Sequence, residues 1–207
     1  MSISIPGRVV VFDYGEVIST PPGEVDAGLL PEIAGADPDT FWPVYARYRD
    51  DLDQGVLSVV DYWRRIADDL GASWDITTIQ RLWAIDFRSW IGVDPGTMAL
   101  IEELHAGGTR TALLSNAGFD FGGPFRFSPM ATLFEAVFVS AELGLLKPDA
   151  EIYRHVAEEL EIELDRMVFI DNKAVNVEGA AALGVTGHVF TGAERLRAFL
   201  ESLAEVA

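Results

Sequence analysis

The chain has 207 residues, of which 49% are hydrophobic, enough for one well-filled core or a core with a smaller inserted unit. Its 15 basic residues against 33 acidic ones leave a formal charge of −18, which argues against nucleic-acid backbones and anionic membrane surfaces as partners. There is no cysteine, so disulfides, thiolate catalysis and cysteine-bound zinc are excluded. The opening MSISIPGR has no basic segment leading into an apolar run, and no stretch approaches the about 20 apolar residues of a membrane helix. A cytoplasmic protein is expected.

The first predicted element is a strand over Val9–Phe12, a short continuous apolar run of the kind that fits the interior of a parallel sheet. Asp13 follows it directly, at the strand end where open α/β sheets bind ligands. Ser19 to Gly23 are structure breakers and turn the chain. From about Val25 to Trp90 every pattern is helical. Phe41, Val44, Tyr45, Tyr48 and Leu52 form one stripe, with Pro43 expected in the first turn of its helix. Ser58 and Asp61 resemble a capping box ahead of Tyr62, Trp63, Ile66 and Leu70, and another helix is predicted over Ile76–Trp90.

Asp94-Pro95 then starts a helix that ends at Gly107-Gly108. Strands are predicted at Thr111–Leu114, Ala136–Val139, Met167–Ile170 and Val185–Phe190. A glycine-rich loop, AGFDFGGPF, is predicted after the first of these, and helices around Ile152–Leu160, Val177–Leu183 and Glu194–Leu203. Strand–helix alternation predicts an α/β fold: a Rossmann-like parallel sheet of about five strands flanked by helices. The helical stretch 21–90 reads as an insertion into a core made of 1–20 and 91–207.

Four strands end at or just before a polar residue of catalytic type: Asp13, Ser115, Lys147 and Asp171. In a parallel sheet all four converge on one edge. Two carboxylates there can hold a divalent cation, a hydroxyl can donate to phosphate oxygens, and an ammonium can neutralise charge.

FDYGEV, LLSNAG, GLLKPDAEIYRHV and FIDNKAVNVEGAAALG, in that order, closely resemble the motifs of the haloacid dehalogenase superfamily of hydrolases. The helical insertion between the first two resembles that family's type-1 helical cap. The resemblance implies a magnesium-dependent phosphatase acting on a small phosphorylated metabolite. By it, Asp13 is the nucleophile, Ser115 and Lys147 bind the phosphoryl group, and Asp13, Asp171 and the carbonyl of Gly15 hold Mg2+. Asn116 is a candidate phosphate donor or else a helix cap, and Asn172 and Asn176 support the loop around Asp171.

The chain departs from the family pattern at Gly15, where phosphatases usually carry a second Asp as acid and base. Glu16 is the nearest carboxylate and a candidate substitute. A sugar 1-phosphate would need such an acid least, and FD-x-G-x-V is similar to the alpha-D-glucose-1-phosphate phosphatase group and to epoxide hydrolase N-terminal domains. The alternatives are a catalytically weak protein that binds a phosphorylated ligand, and a 2-haloacid dehalogenase, against which Asp171 argues. Arg47, Arg49, Arg64, Arg65, Trp42, Tyr45, Tyr62 and Trp63 are the residues of the helical stretch that could meet substrate. The sequence leaves the oligomeric state open.

Overall fold

A computed structural model describes residues 2–204. The chain opens with β1 (Val9–Phe12) and then runs through five helices: α1 (Glu24–Ala34), α2 (Pro38–Arg47), α3 (Arg49–Asp53), α4 (Val59–Asp69) and α5 (Ile76–Trp90). It continues as α6 (Pro95–Ala106), β2 (Arg110–Ser115), α7 (Phe119–Phe127), β3 (Ala136–Val139), α8 (Ser140–Leu143) and α9 (Ala150–Glu159). The remainder is β4 (Met167–Asp171), α10 (Ala174–Ala181), β5 (Thr186–Val189) and α11 (Ala193–Ala204).

The five strands form one parallel sheet in the order β3-β2-β1-β4-β5. The apolar run of β1 is buried on both faces because β1 is the central strand. Val10, Phe12, Leu113 and Ile170 face one layer, which includes Leu100, Ile101, Leu196 and Leu200 of α6 and α11. Val9, Val11, Leu114 and Phe169 face the other, against Ile152, Tyr153 and Val156 of α9. Register pairs Phe12 with Ile170, so Asp13 and Asp171 stand level at the carboxyl edge.

Helices α1 to α5 have a core of their own, built on Phe41, Tyr62, Trp63, Ile66 and Leu82. The two chain segments that lead into and out of this helical block meet as an antiparallel bridge between Ser19 and Val93. Asp75 caps α5 by accepting from the N–H of Thr78, and Asp94 caps α6 by accepting from Thr97, as Asp residues before a first turn do.

Three local expectations are corrected. The glycine-rich stretch after β2 is largely the helix α7. Phe121 and Phe125, one turn apart, are both buried, and that burial outweighs the poor helix propensity of glycine. A Cβ at Gly122 would meet only the ends of the partly exposed Glu142 and Arg126 side chains. Pro43 lies inside α2 and not in its first turn, because the Asp37-Pro38 pair starts that helix earlier. Pro43 faces solvent, where the carbonyl it leaves unpaired is open to water. The last strand is shorter than the predicted Val185–Phe190 and ends at Val189.

Candidate functional site

The parallel topology carries Asp13, Ser115, Lys147 and Asp171 to one edge, where all but Asp171 line a cavity of about 290 Å³. Lys147 is the hub. Its Nζ donates to Asp13 Oδ1 at 2.6 Å, to Asp171 Oδ2 at 2.8 Å and to the Leu114 carbonyl at 3.1 Å. All three side chains are buried. Burial works against the Lys147 ammonium, but Asp13 and Asp171 outweigh it and hold its pKa above the ordinary lysine value. Burial pushes the Asp13 carboxyl up to about 6, against the pull of Lys147 and with a further push from Asp171.

The surrounding residues fix this cluster. Asn116 accepts from the Lys147 backbone N–H at 3.0 Å and donates to the Lys147 carbonyl at 3.0 Å, so its amide clamps the lysine loop in both directions. Its nitrogen keeps a second N–H for another acceptor. Asn176 donates to Asp171 Oδ2 at 2.9 Å, and the Lys173 N–H donates to Asp171 Oδ1 at 2.8 Å. Asn172 points elsewhere and donates to Glu16 Oε2 at 2.8 Å, across the mouth of the site. Glu16 has φ 57°, a left-handed conformation that is strained for a residue other than glycine, and its N–H is held by the Ser19 hydroxyl. Gly15 lines the cavity, and a Cβ there would meet only Trp90 at 3.9 Å and Asp13 Oδ2 at 4.0 Å.

The donor set suits a small hard cation. Magnesium takes oxygen ligands and commonly uses one or two carboxylates, keeping water for the rest. Asp13, Asp171 and the Gly15 carbonyl supply such oxygens. Two carboxylates against one ammonium leave the cluster one negative charge in excess, which a cation would balance. Among the described residues no group of three or more His, Asp or Glu side chains gathers to hold a metal.

From the helical block, Tyr45, Arg49 and Asp53 line the same cavity. Tyr45 and Arg49 were named from sequence. Arg47, Arg64 and Arg65 instead form surface ion pairs with Asp69, Asp61 and Asp51. Trp42, Tyr62 and Trp63 belong to the block's own core. Arg49 pairs with Asp53 and, at 3.2 Å, with Asp86 Oδ2, and it accepts no free role as an anion receptor. Sequence reasoning missed Asp53, Tyr14, Trp90, Phe121, Phe125 and Lys173, all of which line the cavity. The Arg49–Asp53 spacing of one helical turn was a signal for Asp53. Lys173, one of only two lysines in the chain, stood two residues past Asp171.

Asp13 and Asp53 both have their pKa pushed up by burial to about 6 from an ordinary value of 3.8. Each therefore binds its proton more tightly folded than unfolded. Between about pH 4 and 6 the native state holds more protons, so the stability of the metal-free protein falls as pH rises through that window. Thermal melts across it are expected to show this slope, and Asp53→Asn is expected to make it shallower. An unchanged slope in that variant would contradict the raised pKa of Asp53.

A family model described as haloacid dehalogenase-like hydrolase matches residues 8–184. A sesquiterpene phosphatase from Aspergillus oryzae is 25% identical over 87% of this chain and 88% of its own length. A HAD family enzyme from Bacteroides thetaiotaomicron, solved with magnesium and inorganic phosphate, is similar in structure with TM-score 0.71. It is 18% identical, and the match covers 89% of this chain and 94% of that one. A 2-haloacid dehalogenase from Pseudomonas syringae shares the fold at TM-score 0.65 and 18% identity, over 87% and 84% of the two chains. No described helix is long and apolar enough to cross a membrane.

Proposed function

Since this chain belongs to the haloacid dehalogenase-like hydrolases, we propose that it is a magnesium-dependent phosphatase that cleaves a small phosphate monoester through an aspartyl-phosphate on Asp13. The buried Asp13–Lys147–Asp171 cluster, open on one side to a cavity, is the observation that carries this reading. Asp13 Oδ1 is held by Lys147, which keeps the carboxylate oriented for attack on phosphorus. Lys147, Ser115, the free Asn116 N–H and Lys173 are the groups that would bind the phosphoryl oxygens. Magnesium held by Asp13, Asp171 and the Gly15 carbonyl would neutralise phosphate charge as it develops. Asn176 and the Lys173 N–H keep Asp171 in place for that task.

The helical block is proposed to act as the substrate-selecting cap. Tyr14, Tyr45, Trp90, Phe121 and Phe125 are the aromatic part of the cavity lining. A second cavity of about 640 Å³ shares Tyr14, Phe121 and Phe125 as a wall and continues past Phe87, Met98 and Leu133. Arg49, the cation that the cap contributes to the cavity lining, is engaged by two carboxylates. This lining supports the phosphate ester of an apolar alcohol over a sugar phosphate. The sesquiterpene phosphatase relative supports the same reading. A dehalogenase reading is disfavoured, because a haloacid carboxylate would meet the excess negative charge of Asp13 and Asp171.

The test is phosphate release from a panel of sugar phosphates, nucleotides and long-chain alcohol phosphates, with magnesium and with a chelator. Magnesium-dependent release, fastest on the alcohol phosphates, is expected. Halide release from 2-haloacids without metal, and no phosphate release, would replace the phosphatase by the dehalogenase.

A further inference from the structure

Resting on the phosphatase reading, the step that expels an alcohol has an unmet need. An alkoxide is a poor leaving group and requires a proton as its bond to phosphorus breaks. Most titratable groups of the cavity are committed. Asp13 is the nucleophile, and Lys147 and Asp171 are locked in the buried ion cluster. Glu16 is tethered at the mouth by Asn172. Tyr14 gives its hydroxyl proton to the Trp90 carbonyl at 2.8 Å, and Tyr45 gives its own to Asp86 at 2.7 Å.

Asp53 is different. It is buried, lines the cavity, and its Oδ1 accepts no hydrogen bond. Arg49 Nε donates to Oδ2 at 3.4 Å; Oδ1 lies 3.2 Å from that nitrogen but off the N–H direction. A buried carboxyl oxygen that lies beside a cation but accepts no hydrogen bond is costly to keep and calls for an explanation.

The backbone of Asp53 is also fixed over the phosphate end of the site. The Ser140 hydroxyl donates to the Asp53 carbonyl and accepts from the Ala117 N–H, two residues past Ser115. Next to it, the Gln54 side chain donates to the Gly144 carbonyl at 3.1 Å, three residues before Lys147. The helical block thus delivers Asp53 to the loops that carry Ser115 and Lys147.

We propose that Asp53 is the general acid and base of this site, protonating the departing alcohol and then deprotonating the water that hydrolyses the aspartyl-phosphate. In the first step an Asp13 oxygen bonds to phosphorus and the P–OR bond breaks. Its electron pair leaves on oxygen, which takes the Asp53 proton to give ROH. In the second, water bonds to phosphorus, the P–O bond to Asp13 breaks, and the water proton passes to the Asp53 carboxylate. Inorganic phosphate, free Asp13 and protonated Asp53 result. The groups that face Asp53 are Arg49, Asp86, Lys173 and the Tyr62 phenol. Burial, outweighing Arg49, sets its pKa at about 6, close enough to neutrality for both roles.

The test compares n-octyl phosphate with p-nitrophenyl phosphate, whose phenolate leaves unaided, using the magnesium-loaded full chain and Asp53→Asn. Turnover of octyl phosphate is expected to fall about 10²–10⁴-fold. On p-nitrophenyl phosphate the variant should still give a rapid burst of one p-nitrophenolate per site, followed by slowed turnover as the aspartyl-phosphate accumulates. Asp53→Glu should recover part of the octyl activity. In the unaltered protein kcat/KM for octyl phosphate should decline above about pH 6 while the p-nitrophenolate burst rate does not, which serves if Asp53→Asn fails to fold. Equal loss on both esters in the burst phase, or unchanged octyl turnover, overturns the role of Asp53 alone. No phosphate from either ester with the unaltered protein overturns the phosphatase reading and this proposal together.

Discussion

Asp13→Asn is expected to lower phosphate release by about 10⁴-fold or more while leaving the fold intact, because removing a nucleophile removes the covalent route itself. The substitution replaces one oxygen by an isosteric amide. Lys147 keeps Asp171 at 2.8 Å and the Leu114 carbonyl at 3.1 Å, so no buried charge is left alone. The raised pKa of Asp13, caused mainly by burial, means that neutralising it also removes a native-state penalty. Stability near pH 7 should therefore be unchanged or higher. The measurement pairs kcat with a denaturant midpoint on the same sample. Activity that survives in a folded Asp13→Asn protein would show that another group attacks phosphorus.

Lys147→Met is expected to be damaging in the opposite sense, costing about 3–5 kcal/mol of stability as well as activity, as breaking a buried ion pair from one side does. Methionine fills similar volume but leaves Asp13 and Asp171 as two buried like charges, 10% and 0% exposed in their side chains. It also removes the ammonium that stands 5.4 Å from the Phe169 ring centroid. The Asp13 pKa, already raised by burial, should rise further, so the deficit should be largest at neutral pH and shrink on acidification, when protonation relieves the repulsion. Added magnesium should recover part of the loss by supplying the missing positive charge. A variant as stable as the unaltered chain at pH 8, with the same turnover, would mean that the ion cluster neither holds the fold nor the phosphate.

The two substitutions separate what the same cluster does for chemistry and for folding. With both results as expected, Asp13 would be expendable to the fold because its charge is a burden there, and Lys147 would be needed by both because it balances two carboxylates at once. The hydrogen bonds from Asn116, Asn176 and the Lys173 backbone explain why the cluster is held at a single geometry.

Much of this was legible in the residues themselves. The VVVF run, buried on both faces, identified the central strand, since only a sheet covered on both sides lets four apolar residues stand in a row. The polar residues at the strand ends marked the edge where the cavity lies, because parallel strands bring all their carboxyl ends together. That the chain is helical between Val25 and Trp90 followed from the 3.6-residue spacing of its apolar residues. What required the tertiary structure was everything that depends on contacts distant in sequence. Helix α7 forms on glycine-rich sequence because Phe121 and Phe125 have a core to enter. Asn172, next to Asp171 in sequence, serves Glu16, and the more distant Asn176 serves Asp171, because the side-chain directions are set by the turn into α10. Asp53 reaches the cavity where Ser140 and Gln54 join the helical block to the core. Periodicity and spacing report which local structure a segment can adopt; which charges share a dry cavity is set by packing across the whole chain.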